Sequence, residues 1–418
     1  MLDAGAASAV LERLERSTRI IEDFAAICAL GGRFAGTPSE KAAVEWLVAR
    51  LAEASGQPVQ REPIGYRGWT RIGARVEGAD GRCFPAQALG RSPATPPDGL
   101  EAPLLDLGRG TPEDIAAAGE AVRGAILLVR HEFMMGTGHV HRRAKYEAAR
   151  AAGAAGFLIA SHVPGDLPVT GSAGDGLPGN IPCAGVSFET AEGLASARIR
   201  LFVEGHFEDR VAENLLATIP GQGAGLVVLS AHIDGHDLAC SAMDNASGLA
   251  CTLAVLEAIR EVVPGLPHGV QAGFFNIEEW ALLGSAAHLA RMPPAERQRR
   301  VLNVNLDSVA GADGLTALTS GVAGMVGFIR AALAPADLSV GFSAPFMGNS
   351  DHANFLRHGI PALRLCAGFN QPASNMRWLL TPADTPDKVT PNQLRHAARV
   401  AAMLVLAGCA GAAAGLRV

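Results

Sequence analysis

LVVLSAHID, at residues 226–234, opens the part of the chain whose reading decides the fold. An apolar run ends abruptly in His232 and Asp234, the pattern of a strand buried on both faces with its polar residues at the carboxyl end. The pattern recurs: FFNIEE (274–279) runs into Glu278 and Glu279, and VLNVNLDS (301–308) into Asp307. NLLATIPG (214–221) and GIPALRL (359–365) read as further strands of the same run, with helical stretches between. Such alternation predicts an α/β fold, a sheet covered by helices on both faces. Sites in such sheets lie outside the carboxyl ends of the strands.

Two more polar segments join this set, AMDNASG (242–248) and NSDHANF (349–355). Each segment has an ordinary reading on its own. Asp307 could cap a helix, His232 could be a satisfied core histidine, Glu278 and Glu279 could be a solvated surface, and MDNASG could start a helix with Asp244 as its cap. The segments nevertheless coincide, in order, at strand ends of one α/β unit. Carboxylates buried there need a counter-charge, because an unpaired buried charge is costly. One divalent cation answers several of them together. A mixture of His, Asp and Glu suits zinc, with manganese or cobalt as alternatives.

The bulk properties agree with a globular enzyme. A chain of 418 residues, about half of them apolar, can hold two or three domains. A net charge of −6 gives no reason to expect nucleic acid or an anionic membrane as a partner. The first residues form a mixed-charge amphipathic run without a secretory pattern, and AAMLVLAGCAGAAAGL (401–416) reads as a buried terminal helix. The seven cysteines are scattered without CxxC pairing, which suits reduced thiols and a cytoplasmic location. No GxSxG elbow is present to suggest a serine hydrolase. Residues 80–110 are rich in Gly and Pro, and a self-contained strand–helix–strand unit follows: AILLVR (125–130), KYEAARAAGAAG (145–156), FLIAS (157–161) and IPCAGVS (181–187).

Together the motifs resemble a known family, the zinc-dependent aminopeptidases that include bacterial leucyl aminopeptidases, glutamate carboxypeptidase and glutaminyl cyclase. RFAGTPSEKAAVEWLVARLAEASG (33–56), SDHANFLRHGIPALRL (350–365) and TPADTPDKV (381–389) also resemble family stretches, so the likeness covers most of the chain outside 80–205. That segment resembles the protease-associated domain carried by several members. The resemblance implies a three-layer α/β/α metallopeptidase domain with a mixed, mostly parallel sheet, in two parts (1–79 and 206–418), around a protease-associated β/α insert (80–205). It implies that His232 and Asp307 hold one metal and Glu279 the other, with Asp244 between them. Glu278 would then be the general base toward a metal-bound water, and Asp234 would orient the His232 imidazole. A short peptide or small amide is the implied substrate, and homo-oligomerisation stays open.

One position departs from the family. Its last ligand is usually the histidine of a YHTPADT-like segment, and here WLLTPADT places Leu380 there. Either a neighbour such as His352 or His358 replaces it, or one metal works alone with His232, Asp244 and Asp307, or catalysis has been lost. Retention of Glu278 and four ligands argues against loss. Asp351 beside His352 belongs to the same replacement or supporting group. Leu380 and Trp280 would make a substrate pocket more apolar. Three functions follow as expectations: an aminopeptidase-type metal-dependent hydrolase, a single-metal hydrolase of a non-peptide amide or arylamine, and a non-catalytic binding protein.

Overall fold

The computed structural model describes residues 4–194 and 197–418. The chain divides into two compact units, one of residues 1–64, 211–376 and 384–418, the other of 65–210 and 377–383.

In the first unit, Gly269–Phe275, Leu226–His232, Arg300–Leu306 and Ala362–Ala367 lie side by side in that order as parallel strands. Leu215–Ile219 pairs antiparallel with Gly269–Phe275 on one side. On the other, Leu315–Leu318 runs antiparallel to Ala362–Ala367 and parallel to Gly341–Ser343. The expected mixed, mostly parallel sheet is therefore present. Leu226–His232 and Gly269–Phe275 are buried at every position, as continuous apolar runs covered on both faces must be. The helices start where their chemistry allows. Thr37 accepts from the Glu40 N–H ahead of Pro38–Ser55, which ends on Gly56 in the left-handed region. The C-terminal helix begins at Pro391, ten residues before the apolar run that signalled it, because Thr390 and Gln393 form a reciprocal capping box.

The second unit begins at Gly65. Gln60–Gly78 is one unbroken strand whose end pairs antiparallel with Cys83–Ala88. Leu100–Asp106, Ile126–Arg130, Gly156–Ala160 and Cys183–Val186 form successive parallel pairs. Their core includes Leu127, Val129, Tyr146, Phe157, Ile159 and Val169. Leu380 belongs to this core at 5% exposure, and its carbonyl accepts the Thr170 N–H at 2.8 Å. Leu380 is thus a core residue of the second unit. Burying such a side chain contributes about 1.5–3 kcal/mol.

His131 makes this unit acid-sensitive. Burial, reinforced by His162 (ring centroids 5.6 Å apart), Arg142, His141 and Lys145, holds its pKa well below the usual histidine value. The folded imidazole stays neutral while the unfolded one protonates near pH ~6.5. Stability is thus complete above that pH and falls as pH drops, by up to about 1.4 kcal/mol per unit from this group. Urea unfolding of His131→Phe is expected to show a pH profile flatter than wild type by roughly 1 kcal/mol at pH ~5.5. Superimposable profiles would show that His131 carries no such linkage.

Candidate metal centre

The parallel strands deliver their terminal residues to one place. His232 ends Leu226–His232, Asp307 follows Arg300–Leu306, and Glu278 and Glu279 follow Gly269–Phe275. Asp244 comes from the turn Ala242–Ala246, where its own backbone is not helical (φ −119°, ψ 85°) and which leads into Ser247–Ile259. One ligand atom from each of His232, Asp244 and Asp307 falls within 4.8 Å of the others. His232 Nε2 is 3.0 Å from Asp244 Oδ1 and 3.7 Å from Asp307 Oδ1. Two ligands about 2.0–2.1 Å from one tetrahedral ion stand about 3.3 Å apart, so the spacing fits a shared cation.

Asp234 ties the two halves of the site together. Its carbonyl takes His232 Nδ1 at 2.9 Å, which leaves Nε2 directed at the carboxylates. Its carboxylate accepts the Glu278 N–H at 2.9 Å and the Glu279 N–H at 3.2 Å. The turn before that pair is strained, with β-branched Ile277 at φ 50°. Asn276 holds it there, since its Oδ1 accepts the Ile277 N–H and its Nδ2 donates to Glu40.

Asp307 ends a chain of buried donors. Asn303 Nδ2 donates to Ser230 Oγ, which donates to Asn305 Oδ1. Asn305 Nδ2 donates to Ser350 Oγ, which donates to Asp307 Oδ2. Arg364 Nη2 lies 3.1 Å from Asp307 Oδ1. Burial opposes ionisation of Asp307, but Arg364, His232 and Ser350 overcome it and hold its pKa far below the usual carboxylate range. Asp384 fixes Asp244 in a comparable way. Its carboxylate accepts the Met243 N–H at 2.7 Å and the Asp244 N–H at 3.4 Å.

The charges here are incompletely balanced by protein groups. Burial, then the charges of Glu279, Asp307 and Asp351, push Glu278 well above its ordinary pKa, and His232 only partly opposes them. Burial and Asp307 likewise raise Asp244. For His232, burial disfavours the proton, yet Glu278, Asp244 and Asp307 outweigh it and raise the pKa. Glu278 and Asp244, both raised, beside a histidine raised by its neighbouring carboxylates form the donor set of a cation site, since a divalent ion would supply the missing charge.

The remaining expected residues have other surroundings. Asp351 is fully buried and takes the Ser285 hydroxyl at 2.5 Å; burial raises its pKa to about 6. His352 is fully buried as well, and burial with the Arg364 charge takes its pKa down to about 3. His358 is exposed and meets Arg297 at 3.0 Å. Trp280 is 1% exposed, with its ring 5.4 Å from that of Phe34.

Three functional neighbours escaped the sequence reading. Arg364 sits within a strand whose apolar pattern hides it. Arg33 is fully buried and spans the His232–Asp244 loop, donating to the carbonyls of Ile233, Cys240 and Ser241. His236, two residues beyond Asp234, places Nε2 2.7 Å from Glu279 Oε2. An H-x-D-x-H spacing after the strand was the available signal for it.

Comparison with known proteins agrees with this geometry. Residues 214–405 match the model of Peptidase family M28, and residues 95–194 that of the PA domain. Aminopeptidase YwaD of Bacillus subtilis is 26% identical over 386 residues, covering 88% of this chain and 79% of its own. Leucine aminopeptidase 2 of Arthroderma otae is 25% identical over 377 residues, covering 86% and 73%. The structure of a zinc aminopeptidase from Bacillus subtilis superimposes with a TM-score of 0.73 at 23% identity, over 97% of this chain and 95% of that one. A Peptidase M28 precursor from Shewanella amazonensis gives a TM-score of 0.80 at 22% identity, over 97% and 96%. The chain thus carries a peptidase family M28 domain at residues 214–405, preceded by a PA domain at residues 95–194.

Proposed function

We propose that this chain is a zinc-dependent aminopeptidase-type hydrolase that removes the N-terminal residue of short peptides. The observation that carries the reading is the convergence of His232, Asp244 and Asp307 on one ion-sized space, with Glu278 buried among the same charges. The names of the relatives point to the same chemistry. When bound, zinc would lower the pKa of a water toward about 7 and polarise the scissile carbonyl.

The protein's own groups do the rest. Asp234 and Asn276 hold Glu278 at the end of its strand, where its carboxylate is the proton acceptor. Burial makes that carboxylate a stronger base than a solvated one, and it can pass the proton on to the leaving amine. Asp307 stays ionised because Arg364 and Ser350 stabilise its charge, so it remains a ligand as Glu278 cycles. Asp384 and Asp234 orient Asp244 and His232 without entering the reaction. We further propose a reducing, cytoplasmic setting, which suits seven cysteines that are all unpaired.

Paired substrates test the function. The zinc-loaded protein is expected to hydrolyse aminoacyl-nitroanilides with a free amine at least about tenfold faster than their N-acetylated forms, a difference of about 1.4 kcal/mol. Chelator should abolish this activity and added zinc restore it. Turnover of the blocked and free substrates at equal rates would exclude an aminopeptidase.

A further inference from the structure

The site is one ligand short for a second ion, because Leu380 replaces the expected histidine and packs in the core of the second unit. His358 pairs with Arg297 at the surface, and the charges that act on His352 are those of Arg364, Asp307 and Arg357.

We infer that His236 replaces the lost histidine and, with Glu279, would hold a second metal ion, for which Asp244 would be the shared ligand. The inference rests on the function proposed above. His236 is 4% exposed as a whole residue, and its Nε2 lies 2.7 Å from Glu279 Oε2. That contact lacks the shape of a hydrogen bond, and both ring nitrogens are without a hydrogen-bond partner. An ordinary buried ion pair gains most from aligned hydrogen bonds and is costly without them. Two ligands of one ion behave differently: the nitrogen lone pair points at the metal, and the oxygen sits close by but off that axis. The contact of His236 with Glu279 sets a nitrogen and an oxygen donor side by side, as two ligands of one ion would be.

The placement of His236 is built into the loop. Its N–H donates to Ser241 Oγ at 2.9 Å, and the Ser241 hydroxyl donates back to its carbonyl at 3.3 Å. Arg33 fixes Ile233 before it and Cys240 and Ser241 after it. Gly32 lets the backbones meet, since a Cβ there would come within 2.2 Å of the His236 carbonyl oxygen. Asp234, which presents His232 through its carbonyl, accepts the Glu279 N–H, so one residue sets the register of both positions. Among the described residues, only His232, Asp244 and Asp307 bring three ligand atoms within 4.8 Å. The second position therefore requires Asp244, on whose carboxyl the Glu279 charge acts, to turn its other oxygen toward the pair.

The test is Co²⁺ binding to metal-free full-length protein, followed by calorimetry and visible absorption without any substrate. Wild type is expected to bind two ions. His236→Ala should bind one, or bind the second at least tenfold more weakly, while His236→Asp should recover two with an absorption band altered by loss of a nitrogen ligand. A wild type that binds a single ion overturns the inference but leaves a one-metal hydrolase standing. Two ions of unchanged affinity in His236→Ala also overturn it. An unaltered band in His236→Asp does the same, even if the alanine variant fails to fold. Wild-type protein that binds no ion defeats the proposed function itself.

Discussion

Glu278→Gln is expected to lower kcat by about 10²- to 10⁴-fold, the usual contribution of a positioned general base. The amide is nearly the same size and retains the backbone N–H that donates to Asp234. What disappears is the proton acceptor. The like charges of Glu279, Asp307 and Asp351 disfavour the ionised Glu278 carboxylate, so replacing it relieves repulsion. The variant should therefore keep its metal content and melt no lower than wild type. Steady-state kinetics with metal analysis on the same preparation provide the check. A Gln variant within about threefold of wild-type kcat would remove Glu278 from proton transfer.

Arg364→Met should destabilise the metal-free protein by about 3–5 kcal/mol, the cost of leaving one partner of a buried ion pair alone. The Arg364 and Asp307 side chains are each 4% exposed and 3.1 Å apart, so water cannot replace the lost charge. Methionine fills much of the same volume, which confines the effect to charge rather than packing. Zinc should reduce the deficit, because an ion bound by Asp307 restores part of the missing positive charge. Urea unfolding with and without zinc measures both quantities. Equal stability of variant and wild type without metal would show that Asp307 is balanced by another group.

The strand ends were readable because burial and chemistry wrote them in one pattern. Apolar runs that stop in His232, in Glu278 and Glu279 and in Asp307 gather acids at one edge of one sheet, where a shared cation is the simplest way to balance them. The supporting groups were harder to read. Arg364 and the Asn303–Ser230–Asn305–Ser350 chain lie within strands or beside them, and nothing in a linear pattern says which neighbouring strand they face. His236 lies in a loop without periodicity, and only the folded path brings it to Glu279. The Gly-containing runs between 60 and 78 read as separate short strands, yet they form one continuous strand. Leu380 could be placed in register by the following TPADT, yet register does not reveal which compact unit a side chain joins.

Leu380 also bears on whether this site could revert. A histidine there would return the ligand that the resemblance calls for, but the position has acquired other obligations. It belongs to the buried core cluster of the second unit, where an imidazole without partners would cost about 1–3 kcal/mol. Its carbonyl is already engaged by Thr170. The single-residue step back is uphill before any ion binds. Leucine at 380 is in this sense entrenched, because the buried core to which it belongs has no place for an unpartnered imidazole.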